Sequence, residues 1–164
     1  MKRRGLKPSS TLISSKKEIA TSEDRNALGL KDPSSVIVIK RIRIADGTPL
    51  ALERVALLTQ CAAVLNEDLE NGSLHDGLRK IGFQPTVASG WLKARLATAQ
   101  EARKLDLPSK SPLLVETRVI EDENGLPIAH TETAYAANRY VVDIKLNCAP
   151  AVMAPFKAAP MAPA

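Results

Sequence analysis

The sequence predicts an α+β domain built around a central antiparallel sheet with helices packed on it. Two observations carry this. A unit of one short helix followed by one β-hairpin occurs twice, and each hairpin tip has the Asp-Gly or Asn-Gly pair that tolerates positive φ. Because a hairpin pairs its strands antiparallel, two of them favour an antiparallel sheet.

The first copy is SEDRNALGLKDPSSVIVIKRIRIADGTPLALERVAL, from Ser22, and the second is AQEARKLDLPSKSPLLVETRVIEDENGLPIAHTETAY, from Ala99. Each opens with a charged, helix-permissive run ending in Leu-x-Leu, at Leu28 and Leu30 and again at Leu105 and Leu107. Each continues through a Ser/Pro turn into an apolar strand that carries an arginine, Arg41 or Arg118, and after the tip into a strand opened by Pro49 or Pro127. Between the copies, Leu74, Leu78 and Ile81 follow an Asn-Gly break at helical spacing, with Ser73 as N-cap and Asp76 three residues on as its acidic partner. TVASGWLKARLAT begins as a strand and leads into the second helix, Trp91 is expected in the core, and RYVVDIKL is expected to form a last strand.

The chain has 164 residues, 45% of them hydrophobic, enough for one domain with an ordinary core. Part of its formal charge of +5 lies in Lys2, Arg3, Arg4, Lys7, Lys16 and Lys17. Residues 1–15 are therefore expected to be a basic linker arm, 16–147 the folded domain and 148–164 a disordered Ala/Pro-rich tail. The arm could lie near phosphates, a weaker DNA-binding reading that salt-sensitive association with duplex would reveal. No apolar run reaches the roughly 20 residues of a membrane span, and no apolar signal core follows the arm. Cys61 and Cys148 are far apart with no histidine pair nearby, so no disulfide framework or zinc site is expected. The expected setting is the cytoplasm, without membrane, metal or cofactor.

Arg41 and Arg43 sit two apart on an otherwise apolar strand, so they project to the same side, with Ile37 and Ile39 before them. Paired guanidiniums there either bind a phosphate or carboxylate bidentately or are solvated or ion-paired within the sheet. Glu53, on the partner strand, is placed to be such an ion partner or to bond ligand hydroxyls. Ser73, with free N–H groups at a helix start, suits an anion or is an ordinary cap. His75 follows it two residues later, and His130 lies far along the chain without a second metal-ligand type at useful spacing. No nucleophile elbow, phosphate-binding glycine loop or Cys-His pairing signals catalysis.

The runs RGLKPSS, LGL, VIVIKRIRIADGTPLALE, NGSLHDGLRKIGFQP and ATAQEARKLDLPSKSPLLVETRVIEDENGLPIAHTETAY, in that order, resemble the UTRA domain. This is the effector-binding half of the HutC subfamily of GntR-type bacterial transcription regulators. The resemblance spans about Gly5 to Leu146 and implies a chorismate-lyase-like fold, a homodimer and a small-metabolite ligand. It implies that Arg41, Arg43 and Ser73 hold the ligand's anionic group and that Glu53 and Tyr135 contact the remainder. At His75 the family often has tyrosine, so that contact differs here in reach and charge. The resemblance also implies operator DNA as a partner, but only through a winged helix-turn-helix absent from this chain. The chain is expected to be either a fragment of a longer regulator or a free-standing sensor. A chorismate-lyase-like enzyme acting on an aromatic carboxylate is the rival reading.

Overall fold

The structure, a computed structural model, describes residues 7–142. Ten elements follow in order: β1 (Pro8–Ile19), α1 (Ser22–Leu28), β2 (Ser35–Ala45), β3 (Thr48–Leu58), a 3-10 helix (Thr59–Asn66), α2 (Leu74–Lys80), β4 (Val87–Leu96), α3 (Ala99–Lys104), β5 (Pro112–Glu121) and β6 (Pro127–Ala136). The six strands form one sheet in the order β1-β2-β3-β6-β5-β4, with every neighbouring pair antiparallel.

This order makes the sheet internally symmetric. Strand, helix and hairpin occur as β1-α1-β2-β3 and again as β4-α3-β5-β6, and the two halves meet where β3 pairs with β6. Both helices start on a threonine whose hydroxyl accepts from the backbone N–H three residues on, while that residue's carboxylate accepts from the threonine N–H; the pairs are Thr21 with Asp24 and Thr98 with Glu101. At the first hairpin tip Asp46 (φ 46°) and Gly47 (φ 78°) both take the left-handed conformation, the geometry that suits a two-residue turn to the strand twist.

α1 and α3 cover one face of the sheet, and the 3-10 helix and α2 cover part of the other. On the latter side Ile37, Ile39, Val55 and Leu57 are buried with Cys61, Val64, Leu74 and Leu78. The opposite face carries a second cluster, in which Leu113, Val115 and Ala134 pack with Ala102 and Leu105 of the α3 region. Gly77 of α2 stands against the 3-10 helix, where a Cβ would lie 3.1 Å from the Val64 side chain.

Three expectations are corrected. The arm assigned to residues 1–15 is not a linker from Pro8 onward: β1 pairs with β2 from Pro8↔Ala45 to Ile19↔Ser35. Its Ser- and Lys-rich sequence hides the strand because backbone bonds, rather than apolar side chains, hold an edge. The last strand is absent over residues 139–142, the part of RYVVDIKL that is described. There Arg139 donates instead to the carbonyls of Pro49 (2.7 Å), Leu105 (2.6 Å) and Asp106 (2.9 Å), which fixes the chain in a turn. Trp91 is 44% exposed, because β4 is an edge strand with no helix over it. The remainder of that strand and the Ala/Pro-rich tail, with Cys148, lie outside the described residues.

Candidate functional site

A cavity of about 490 Å³ opens on the sheet face beside α2. The strand register explains its lining, since residues directly opposed across an antiparallel sheet share a face. One cross-strand row runs Arg41, Glu53, Thr133 and Glu116, and the next runs Ile39, Val55, Thr131 and Arg118. A third brings Ser10, Arg43, Ala51 and Tyr135 into line. The chain from Glu70 to Asp76 forms the wall facing these rows. All six residues expected from the sequence, Arg41, Arg43, Glu53, Ser73, His75 and Tyr135, border this one cavity.

Their employment differs. Arg41 is 1% exposed and fully occupied by the protein: its Nε donates to Glu53 Oε2 (2.8 Å), its Nη2 donates to the same oxygen, and its Nη1 donates to the Leu69 carbonyl (2.9 Å). Arg43 is less satisfied. Its Nη1 lies 3.8 Å from Glu53 Oε1, and its buried Nε has no hydrogen-bond partner among the described residues. An unpaired buried donor is costly, so a group that accepts from it supplies a bond that the protein's described side chains do not make.

Ser73 caps α2, accepting from the Asp76 N–H at 3.3 Å. The reciprocal half of the expected capping box is not made, because Asp76 turns to Arg79 at 2.7 Å. Burial pushes the His75 imidazole below its ordinary value, and the nearby Arg79 and Arg118 charges add to the effect against a smaller opposing pull from Glu53. Tyr135 donates to Glu116 Oε2 at 3.3 Å and stacks on Tyr140 with ring centres 3.8 Å apart. Burial pushes its phenol far above the usual range, so it acts as a neutral donor.

Glu116, Arg118, Thr131, Thr133 and Ser10 also border the cavity and were not singled out in the sequence. The internal repeat held the signal for Arg118. Arg41 stands opposite Glu53 across the first hairpin, and Arg118 stands opposite Thr131 across the second. Because the second copy has threonine where the first has glutamate, Arg118 turns to Glu116 on its own strand. Catalytic groups do not emerge: Cys61 is buried away from the cavity with its thiol pushed up to about 11, and no cluster of three metal-ligating side chains occurs among the described residues.

Residues 3–141 match the UTRA domain family. The chain belongs to that family. The UTRA domain here is 32% identical over 141 residues to the transcriptional repressor NagR of Bacillus subtilis, covering 85% of this chain and 58% of that protein. It is 32% identical over 124 residues to the probable transcriptional regulator PhnF of Escherichia coli, covering 74% of this chain and 50% of that one. It thus spans about half the length of these curated relatives. Among solved structures, the effector domain of PhnF from Mycobacterium smegmatis superposes with a TM-score of 0.81 at 23% identity, covering 90% of this chain and 91% of that one. The ligand-binding domain of a GntR-family regulator from Bordetella bronchiseptica gives 0.77 at 20% identity, covering 85% and 89%. These likenesses establish the expected fold. The curated relatives NagR and PhnF are transcription regulators. No helix among the described residues of this chain is long and apolar enough to cross a membrane.

Proposed function

We propose that this chain is the effector-sensing part of a GntR/HutC-type transcription regulator and that a small anionic metabolite, a sugar phosphate or a carboxylate, binds between the sheet and α2. The observation that carries this reading is the unmatched Arg43 Nε in a cavity that already pairs Arg41 with Glu53 and Arg118 with Glu116. With those two arginines paired internally, Arg43 supplies an open donor, and His75 and the Tyr135–Glu116 pair flank the space left for the rest of the ligand.

Binding would alter operator recognition by a winged helix-turn-helix outside this chain, by favouring one arrangement of a cytoplasmic homodimer. Kinship with the repressor NagR and the regulator PhnF supports a regulatory role for the whole protein. A thermal-shift screen of sugar phosphates, phosphonates and small carboxylates tests the site, since a ligand that binds only the native state raises its melting temperature. A hit should lose most of its shift in Arg43→Ala; an equal shift in wild type and variant would place the ligand elsewhere.

A further inference from the structure

The cavity does not end at β5. A second hollow of about 270 Å³ adjoins it, bordered on β4 by Ala88, Gly90, Trp91 and Leu92, and Glu116 and Arg118 are common to both linings. The register accounts for it. β4 extends two rows of the cavity floor, setting Leu92 opposite Glu116 and Gly90 opposite Arg118, with Ala88 on the same face two residues before Gly90. The second row therefore ends on a residue without a side chain, which leaves the floor open between Ala88 and Leu92. Only glycine fits there, since a Cβ would fall 1.9 Å from the Thr117 carbonyl oxygen.

The charged groups between the two hollows already answer each other. Glu116 accepts from Arg118 through Oε1 and from Tyr135 through Oε2. Beyond this pair the side chains of Ala88 and Leu92 offer no polar atom, and Leu92 is 40% and Trp91 44% exposed. Such a surface binds by burial of apolar area, and the methylene stem of Arg118, which borders both hollows, adds to it.

We propose that the second hollow is a subsite for the effector itself, which makes the effector an elongated amphiphile. Its anionic group sits at Arg43, and an apolar arm passes over the Arg118–Glu116 pair to rest on Gly90 against Leu92. The inference rests on the function proposed above and narrows its ligand class. Sheet geometry sets the length of the arm. Arg43 Nη1 leans to within 3.8 Å of Glu53 on β3, and from β3 across β6 and β5 to β4 is three strand spacings, about 14 Å. An extended chain covers about 3.8 Å in three bonds, so the arm needs about eleven bonds. A single sugar ring carrying a phosphate does not reach that far.

Titration calorimetry on the full chain with butyl phosphate and decyl phosphate, each below its micelle-forming concentration, tests the arm. The two probes share a head, and only decyl phosphate is long enough to reach Gly90. Burial of one methylene is worth about a fourfold gain in affinity, so decyl phosphate should bind wild type at least about a hundredfold more tightly than butyl phosphate. Leu92→Asp should bring the ratio of the two affinities close to one; Ala88→Asp serves if circular dichroism shows that the first variant does not fold. Arg43→Ala should weaken both probes, because the arm is held only behind its head. A wild-type ratio close to one, a ratio unchanged in a folded β4 variant, or decyl phosphate bound as tightly by Arg43→Ala as by wild type would each overturn the proposal. Butyl phosphate separates the two readings: if it binds wild type and decyl phosphate gains nothing over it, the arm alone fails, and if neither binds, the effector site at Arg43 fails with it.

Discussion

Arg41 and Glu53 face each other across the β2–β3 ladder, and the guanidinium that would be the larger anomaly in an apolar strand is neutralised by the strand beside it. The pair is structural as well as a cavity wall. Breaking a buried pair by removing one partner costs about 3–5 kcal/mol, because the remaining charge keeps its desolvation penalty. Glu53→Ala should therefore lower unfolding free energy by about that amount, read from the midpoint of a urea titration at unchanged slope.

Arg43 should behave in the opposite way. Among the described residues its Nε makes no bond and its ion contact with Glu53 is a long one, so Arg43→Ala should change stability by less than about 1 kcal/mol while removing most ligand-induced stabilisation. Urea and thermal-shift measurements on the same two proteins separate the effects. A loss of several kcal/mol in the ligand-free variant would make Arg43 a structural residue instead.

His75 gives the site a pH dependence. Its proton affinity is depressed by burial and by neighbouring cations, and an anion bound close by raises it. Binding then takes up a proton. Affinity should rise as pH falls toward and below the ordinary histidine value of 6.5, by at most tenfold per pH unit for one proton. Sulfate, whose own charge is constant over this range, is the suitable probe in titration calorimetry, and His75→Asn should flatten the profile.

On the far face of the sheet, Arg54 donates to both oxygens of Asp24 at 2.9 and 2.7 Å, and His130 Nδ1 lies 2.8 Å from Oδ1. Burial alone would raise this carboxyl, but the bonds from His130, Arg54 and Thr21 outweigh burial and hold it far below the usual carboxylate range. A depressed folded value means the contribution is complete above the ordinary aspartate value near 3.8 and fades only in stronger acid. Asp24→Asn should cost about 3 kcal/mol at neutral pH, and the deficit relative to wild type should shrink in acid below that value.

Much of the fold was legible because the duplicated unit writes its turns and caps locally: Asp46-Gly47, Asn124-Gly125 and Thr98 with Glu101 need no distant partner to be read. β1 was not, since Ser9, Ser10, Ser14 and Ser15 carry no strand signature; only its correspondence with β4 would have announced it. Trp91 misled for a similar reason, because exposure of an edge depends on what lies beside it in space. At the site, Arg41, Arg43 and Glu53 were readable from one hairpin. Arg118 and Glu116 needed the β3–β6 junction, which brings residues some 75 positions apart into adjacent rows and is invisible to spacing along the chain.

The wall from Glu70 to Asp76 is fastened at its start by two bonds: the carbonyl of the preceding Leu69 accepts from Arg41, and the Glu70 carboxylate accepts from the Leu12 N–H at 3.0 Å. The second fastening lies beside the irregularity at Leu12 and Ser14, where β1 is least firmly laddered to the sheet. Lifting this wall to admit an occupant therefore pulls on the weakest stitch of β1. The strand best placed to feel the cavity fill is the one nearest the amino terminus.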